Sequence, residues 1–181
     1  MSTHNTLELA GLHAASAGSA GDMAEPDPQI AALATGSVAG LSSAQIGALG
    51  VEQFEALSTT QIAALSSSGV AGLTTADLET LSTTEFAAIR SDSIQGLSTA
   101  VVAALTNDQV ATLTTAQFAS LTHNQIAAMS TDQIVALSTA QIAVLNALQV
   151  AALDPGDIAV FTTDDIAALS SNAIAGLTTS V

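Results

Sequence analysis

The chain has no cysteine, no tryptophan and no tyrosine, and among its 181 residues Arg90 is the only lysine or arginine. Without cysteine there is neither a disulfide framework nor a thiolate metal site, and the redox compartment stays open. Sixteen Asp and Glu face that one arginine, for a formal net charge of −15. Such a chain repels phosphate, which excludes nucleic-acid binding by counterion release. Adhesion to an anionic membrane surface is disfavoured on the same ground. Apolar residues make up 49% of the sequence, yet none of their runs reaches the roughly 18 residues that a membrane-spanning helix needs. The longest candidate, 142–153, is interrupted by Asn146 and Gln149. The first residues, Met1 to Thr6, show no basic region and no apolar stretch, so no cleavable secretory signal is visible.

What the chain does have is a strict period. From Leu33, every eighth residue is apolar: Leu57, Leu65, Leu73, Leu81, Leu97, Leu105, Leu113, Leu121 and Leu137 are typical. The sixth position of each unit repeats the pattern, as at Ile62, Phe86, Phe118, Ile126 and Ile142. No insertion breaks the register from residue 33 to residue 176, which makes eighteen consecutive octads (144 residues divided by eight). A fixed period of this kind is a repeat array, whose units contact neighbours instead of a central core. These apolar positions are the expected repeat core. Residues 1–28 do not fit the period and read as a flexible, Ala/Gly/Pro-punctuated leader; residues 29–181 read as the array.

The remaining positions carry a helix-start signal. Ser58 followed by Gln61, Thr114 by Gln117, and Ser138 by Gln141 are capping boxes: the hydroxyl accepts from the third amide, and the glutamine reaches back. Leu57 and Ile62 bracket such a box as a hydrophobic staple. Asp154 is a further cap, followed by Pro155, a residue tolerated at the first helical position.

One long helix is ruled out, because eight residues at about 100° each rotate the apolar stripe by about 80° per unit. Coiled coils take periods of about seven or eleven. The chain must therefore turn in every unit. The sequence predicts an all-α fold, a tight α-solenoid of one short capped helix per octad. The rival is a β-solenoid with two octads per coil, favoured by Thr and Ile but not by Ala and Gln. Small residues at positions seven and eight are expected to let neighbouring backbones approach closely. Phe54, Phe86 and Phe118, 32 residues apart, suggest a longer period of four octads, either a superhelical turn or an old duplication.

Signs of chemistry are sparse. His4, His13 and His123 lack metal-site spacing. Asp154, Asp157, Asp164 and Asp165 lack the ligand order of an EF-hand and read as caps and dipole partners. No nucleophile elbow or phosphate loop occurs. The sequence predicts no enzyme, no catalytic or cofactor-binding residue, no cofactor and no metal. Arg90 replaces a cap.

The unit L-[ST]-T-x-Q-[IV]-A-A, seen at 57–64 and nearly so at 113–120 and 137–144, resembles the Ala/Thr-rich octapeptide arrays of large secreted or surface proteobacterial proteins of RTX or adhesin type. The resemblance implies an extracellular or cell-surface structural role. The expected function is a non-enzymatic rod, spacer or self-assembling scaffold; the alternative is an adhesive module that presents Ser/Thr rows to ice or glycan. The sequence stops at Val181 inside a unit, so the expected partner is a second copy stacked end to end, with no nucleic acid and no membrane insertion.

Overall fold

The computed structural model of the chain describes residues 28–177. The leader with His4 and His13, and the terminal Val181, lie outside the described residues. Within them the chain forms nineteen short helices and no strand, beginning with Pro28–Ala31 and ending with Ser171–Leu177. The fold is an all-α solenoid, and the β-solenoid alternative is overturned.

Each octad folds by the same local rules. In the octad at residues 57–64, Ser58 is extended at φ −69° and ψ 157°, and its hydroxyl accepts from the Gln61 N–H. The helix Thr59–Ala64 follows. Leu65 then leaves the helical region, at φ −57° and ψ 127°. Its N–H still donates to the Ile62 carbonyl at 3.1 Å, a one-turn tightening of the kind that closes helix ends. Two extended residues, the apolar corner and the cap, thus redirect the chain before the next helix. Helices range from four to seven residues, well below the length at which an isolated helix holds in water. Packing between units must hold them.

That packing has one rule. From Thr35–Ala39 to Ala147–Ala151, each helix packs against the third helix after it. Helices therefore stack at a step of three octads. Phe54, Phe86 and Phe118 are all buried. The corner residues Leu57, Leu65, Leu73, Leu81, Leu97, Leu105, Leu113, Leu121 and Leu137 are buried, and so are Ile62, Ile126 and Ile142. Together they form one continuous apolar core along the array.

Backbones of stacked octads meet most closely at some position-eight glycines. A Cβ on Gly72 would overlap the Ser43 carbonyl oxygen, one on Gly96 the Ser67 oxygen, and one on Gly176 the Ala147 oxygen. In all three pairs the octads are three units apart, as the packing rule requires. Alanines elsewhere at positions seven and eight, such as Ala63, Ala64, Ala103 and Ala104, are half-buried or exposed. The close approach expected of the whole class is thus concentrated at particular glycines.

The helices that follow Ala34, Gly50 and Arg90 start without a side-chain cap. Arg90 caps Ser91–Ile94 without a side-chain hydrogen bond, and its guanidinium instead pairs with exposed Asp92. Arg90→Ser restores the missing acceptor and should raise stability by about 1 kcal/mol, the usual value of an N-cap hydroxyl. Loss of the exposed ion pair removes at most a few tenths of a kcal/mol of that gain. Urea denaturation of the two chains checks this; a variant less stable than the parent overturns it.

Candidate functional site

Position five carries the most distinctive chemistry of the array. Gln61, Gln117 and Gln141 each close a capping box at the start of their own helix. Gln61 Oε1 accepts from the Ser58 N–H at 2.8 Å, Gln117 Oε1 from Thr114 at 2.8 Å, and Gln141 Oε1 from Ser138 at 2.8 Å. Asp154 accepts from the Asp157 N–H at 2.9 Å. At Gly50 only the returning half exists, with its N–H donating to Gln53 Oε1 at 3.1 Å.

The glutamines do a second thing. From Gln61 onward they are buried, Gln61 at 2% exposure and Gln141 at 1%, and each amide nitrogen donates to main-chain oxygens of the preceding turn. Gln141 Nε2 reaches the Val110 and Leu113 carbonyls, both at 2.9 Å. Gln133 Nε2 reaches Val102 at 3.0 Å and Leu105 at 2.7 Å. Gln125 reaches Leu97 at 2.8 Å, Gln149 reaches Leu121 at 2.7 Å, and Gln61 reaches Ile30 at 3.0 Å and Leu33 at 2.9 Å. Gln117 reaches Ala87 and Ile89, and Gln109 reaches Leu78. The acceptors lie 28, 30 or 31 residues earlier. They are late carbonyls of a helix, such as Val102, which the corner N–H also reaches at 3.2 Å, and the oxygen of the corner residue itself. One side chain thereby satisfies the start of its own helix and the end of another.

The sequence did contain a sign of this double duty. From Leu33 onward position five is Gln nine times and a carboxylate four times, at Asp77, Glu85, Asp157 and Asp165. A glutamate would cap as well as a glutamine, but it has no N–H to donate. The preference for the amide is the mark of a donor in use at most of these units.

Where the amide is missing, other groups take its place or the link is absent. Ser93 Oγ donates to the Leu65 carbonyl at 2.8 Å, again 28 residues back. Asp157 and Asp165 reverse the polarity: each accepts a threonine hydroxyl, from Thr131 at 3.0 Å and from Thr139 at 2.8 Å. Gly69 and Val101 have no side-chain group for the purpose. No buried side-chain nitrogen or oxygen among the described residues lacks a hydrogen-bond partner.

Burial is the largest single influence on the Asp165 carboxyl and pushes it up. Hydrogen bonds from the Thr162 hydroxyl, the Thr139 hydroxyl and the Thr162 N–H together outweigh it, and the group titrates below its ordinary value of 3.8. A carboxyl depressed by folding adds stability that is complete above its unfolded value and is lost as pH falls through its folded value. The last turns should therefore loosen below about pH 4. Asp165→Asn should flatten that acid limb in a pH series of thermal melts, because the amide does not titrate. An unchanged acid limb would count against the assignment.

The outer surface is made of caps and first helical residues. Thr59, Thr83, Thr99 and Thr115 are exposed. The cap hydroxyls are turned inward: Ser58 Oγ donates to Gln61 Oε1 and Ser138 Oγ to Gln141 Oε1, both at 2.8 Å. His123 is exposed at the start of its helix. Among the described residues no three His, Asp or Glu side chains are grouped to hold a metal ion. No helix there is long and apolar enough to cross a membrane.

A family model described as the ALTTAQ repeat matches five overlapping stretches: 29–59, 52–83, 70–107, 86–123 and 123–155. The six letters of that description fall on the structural unit. At 136–141 they read Ala-Leu-Ser-Thr-Ala-Gln: a small residue, the corner, the cap, two first-turn residues and the stapling glutamine. No match was found among curated proteins or among solved structures. With the matched stretches together spanning residues 29–155, the chain belongs to the ALTTAQ repeat family.

Proposed function

We propose that the protein is a non-enzymatic structural element, a rod, spacer or self-assembling scaffold of a bacterial surface or secreted protein. The observation that carries this reading is the glutamine link between turns. Its acceptors are main-chain carbonyls, which every added octad supplies again, so the array extends without new chemistry. Contacts confined to neighbouring turns make stability grow with the number of units. The acidic exterior, with a formal charge of −15, keeps such a rod soluble. Placement at the surface rests on the resemblance to octapeptide arrays of secreted and surface proteins.

Two measurements test the reading. Variants in which blocks of whole octads are duplicated should lengthen by a constant increment per octad in small-angle X-ray scattering, and should melt at higher temperature. A maximum dimension that stays constant as octads are added overturns the rod. Mild proteolysis of intact producing cells should release octad peptides; recovery from the cell interior alone overturns the surface placement.

A further inference from the structure

Residues 41–104 and residues 105–168 are eight octads each (64 residues divided by eight), and they are held together unequally. In the second stretch every helix, from Asn107–Thr112 to Thr163–Ala168, starts with a complete capping box. In the first, the boxes before Ser67–Val70, Ser91–Ile94 and Thr99–Ala104 are incomplete. Position five there is Gly69, Ser93 or Val101, and none of the three reaches back to its cap.

The links between turns divide in the same way. From Gln109 to Asp165 every position-five residue holds a side-chain hydrogen bond to the turn before it, through its own amide or a threonine hydroxyl. From Gly69 to Val101 one such bond exists among the described residues, from Ser93 Oγ to the Leu65 carbonyl. Asp77 misses its link narrowly. Its Oδ2 accepts from the Thr74 N–H and hydroxyl at 2.8 and 2.7 Å, as Asp165 Oδ2 does from Thr162 at 3.0 and 2.7 Å. Asp157 and Asp165 also take a threonine hydroxyl from 26 residues earlier. At that distance before Asp77 stands Val51, which has no hydroxyl. Glu85 occupies the place of the amides and has no N–H to donate. Glycine adds to the imbalance: five fall in 41–104 against Gly156 alone in 105–168, and glycine gains the most freedom when a chain opens.

We propose that the solenoid opens in two stages, with 41–104 coming apart as one unit while 105–168 stays wound. Contacts confined to neighbouring turns allow this, since no central core obliges the two halves to melt together. In a rod the first half is then a yielding section that lengthens under load before the second does. That role under load rests on the structural reading of the protein. The two-stage opening does not, and a rod that grows with added octads survives even if both halves open together.

Native-state hydrogen exchange read by mass spectrometry, on the full chain at low urea, tests the proposal. Thr75–Thr80 and His123–Ala127 are each the seventh helix from an end of the described array, so comparing them cancels fraying from the ends. Exchange should be at least about tenfold faster in Thr75–Thr80, since several hydrogen bonds worth severalfold each are missing around it. The helices from Ser43–Ile46 to Thr99–Ala104 should share one urea dependence. Equal rates in the two compared helices overturn the proposal, and so does a separate urea dependence for each helix of the first half.

Two variants supply missing donors. Glu85→Gln places an amide in register with the Leu57 carbonyl, 28 residues earlier, the offset that Gln125 uses toward Leu97. Val51→Thr places a hydroxyl in register with Asp77. Each should slow exchange across the first half about fivefold, the worth of one net hydrogen bond, and leave the second half unchanged. Glu79→Gln removes the same charge as Glu85→Gln from an exposed position in the octad before it and should change little. The proposal falls if neither donor variant slows exchange, or if Glu79→Gln slows it as much as Glu85→Gln does.

Discussion

Gln133→Leu should lower stability by about 2–4 kcal/mol, although leucine nearly matches the volume of the side chain it replaces. Gln133 is 2% exposed. Its Oε1 accepts from the Ser130 N–H at 2.8 Å, and its Nε2 donates to Val102 and Leu105 of the turn before. Losing the returning half of a capping box costs about 1 kcal/mol. A buried carbonyl left without a donor costs about 1–3 kcal/mol. The Val102 oxygen keeps the Leu105 N–H at 3.2 Å, so the Leu105 oxygen bears most of that second loss. Gln133→Glu separates the two duties. It retains the cap acceptor but sets a carboxylate against carbonyl oxygens, so its folded-state pKa should rise. Its cost should then shrink as pH falls, because the protonated acid regains a donor. Urea denaturation followed by circular dichroism at neutral and acidic pH reads both variants. A Gln133→Leu effect below about 1 kcal/mol would reduce the inter-turn bond to an ordinary cap.

Gly96→Ala should destabilise by about 1–3 kcal/mol or more, the range for forcing an extra carbon into a packed interior. Its new Cβ would collide with the Ser67 carbonyl oxygen, a main-chain atom in the octad three units earlier, and with Ser67 Oγ at 3.0 Å. Relief requires two turns to separate, since no flexible side-chain end can simply move aside. Gly36, inside the helix Thr35–Ala39, has nothing within 4 Å of the same added atom. Gly36→Ala should therefore stabilise by about 0.5–1 kcal/mol through ordinary helix propensity. Opposite signs for one chemical change at two glycines would isolate the close approach as the cause. Hydrogen exchange should place the Gly96→Ala loss in the stacked octads around 67 and 96; equal protection in both chains would contradict the contact.

The sequence was informative where each octad decides its own shape. The apolar residues at positions one and six, the Ser58–Gln61 box and the Asp154–Pro155 start are local signals, and they determine a helix and a corner unit by unit. The number of octads per turn is a relation between units. Units that read alike hold no mark of which later unit covers them, and the step of three octads at which the helices stack is visible only in the folded array. Ile166 and Ile142 are the same residue at the same position, yet one is 38% exposed and the other 1%. Only their distance from the last octad distinguishes them. The glutamine's second role was legible in the preference for amide over carboxylate, but seeing it required asking where the spare N–H goes. Gly72 and Gly96 were visible as small residues at position eight; that they had to lack a Cβ depends on a carbonyl 29 positions away.

The offset of the glutamine bonds has a mechanical consequence. Helices stack at three octads, whereas the amide reaches back 28 residues, three and a half octads, to the corner between two helices below. Successive turns are thus laid like courses of brick, with each joint bridged by the unit above. In a wall built this way a crack at one joint does not run through. A protease that cuts a single corner of the array should leave two fragments clasped across the gap, migrating as one particle until denaturant releases them.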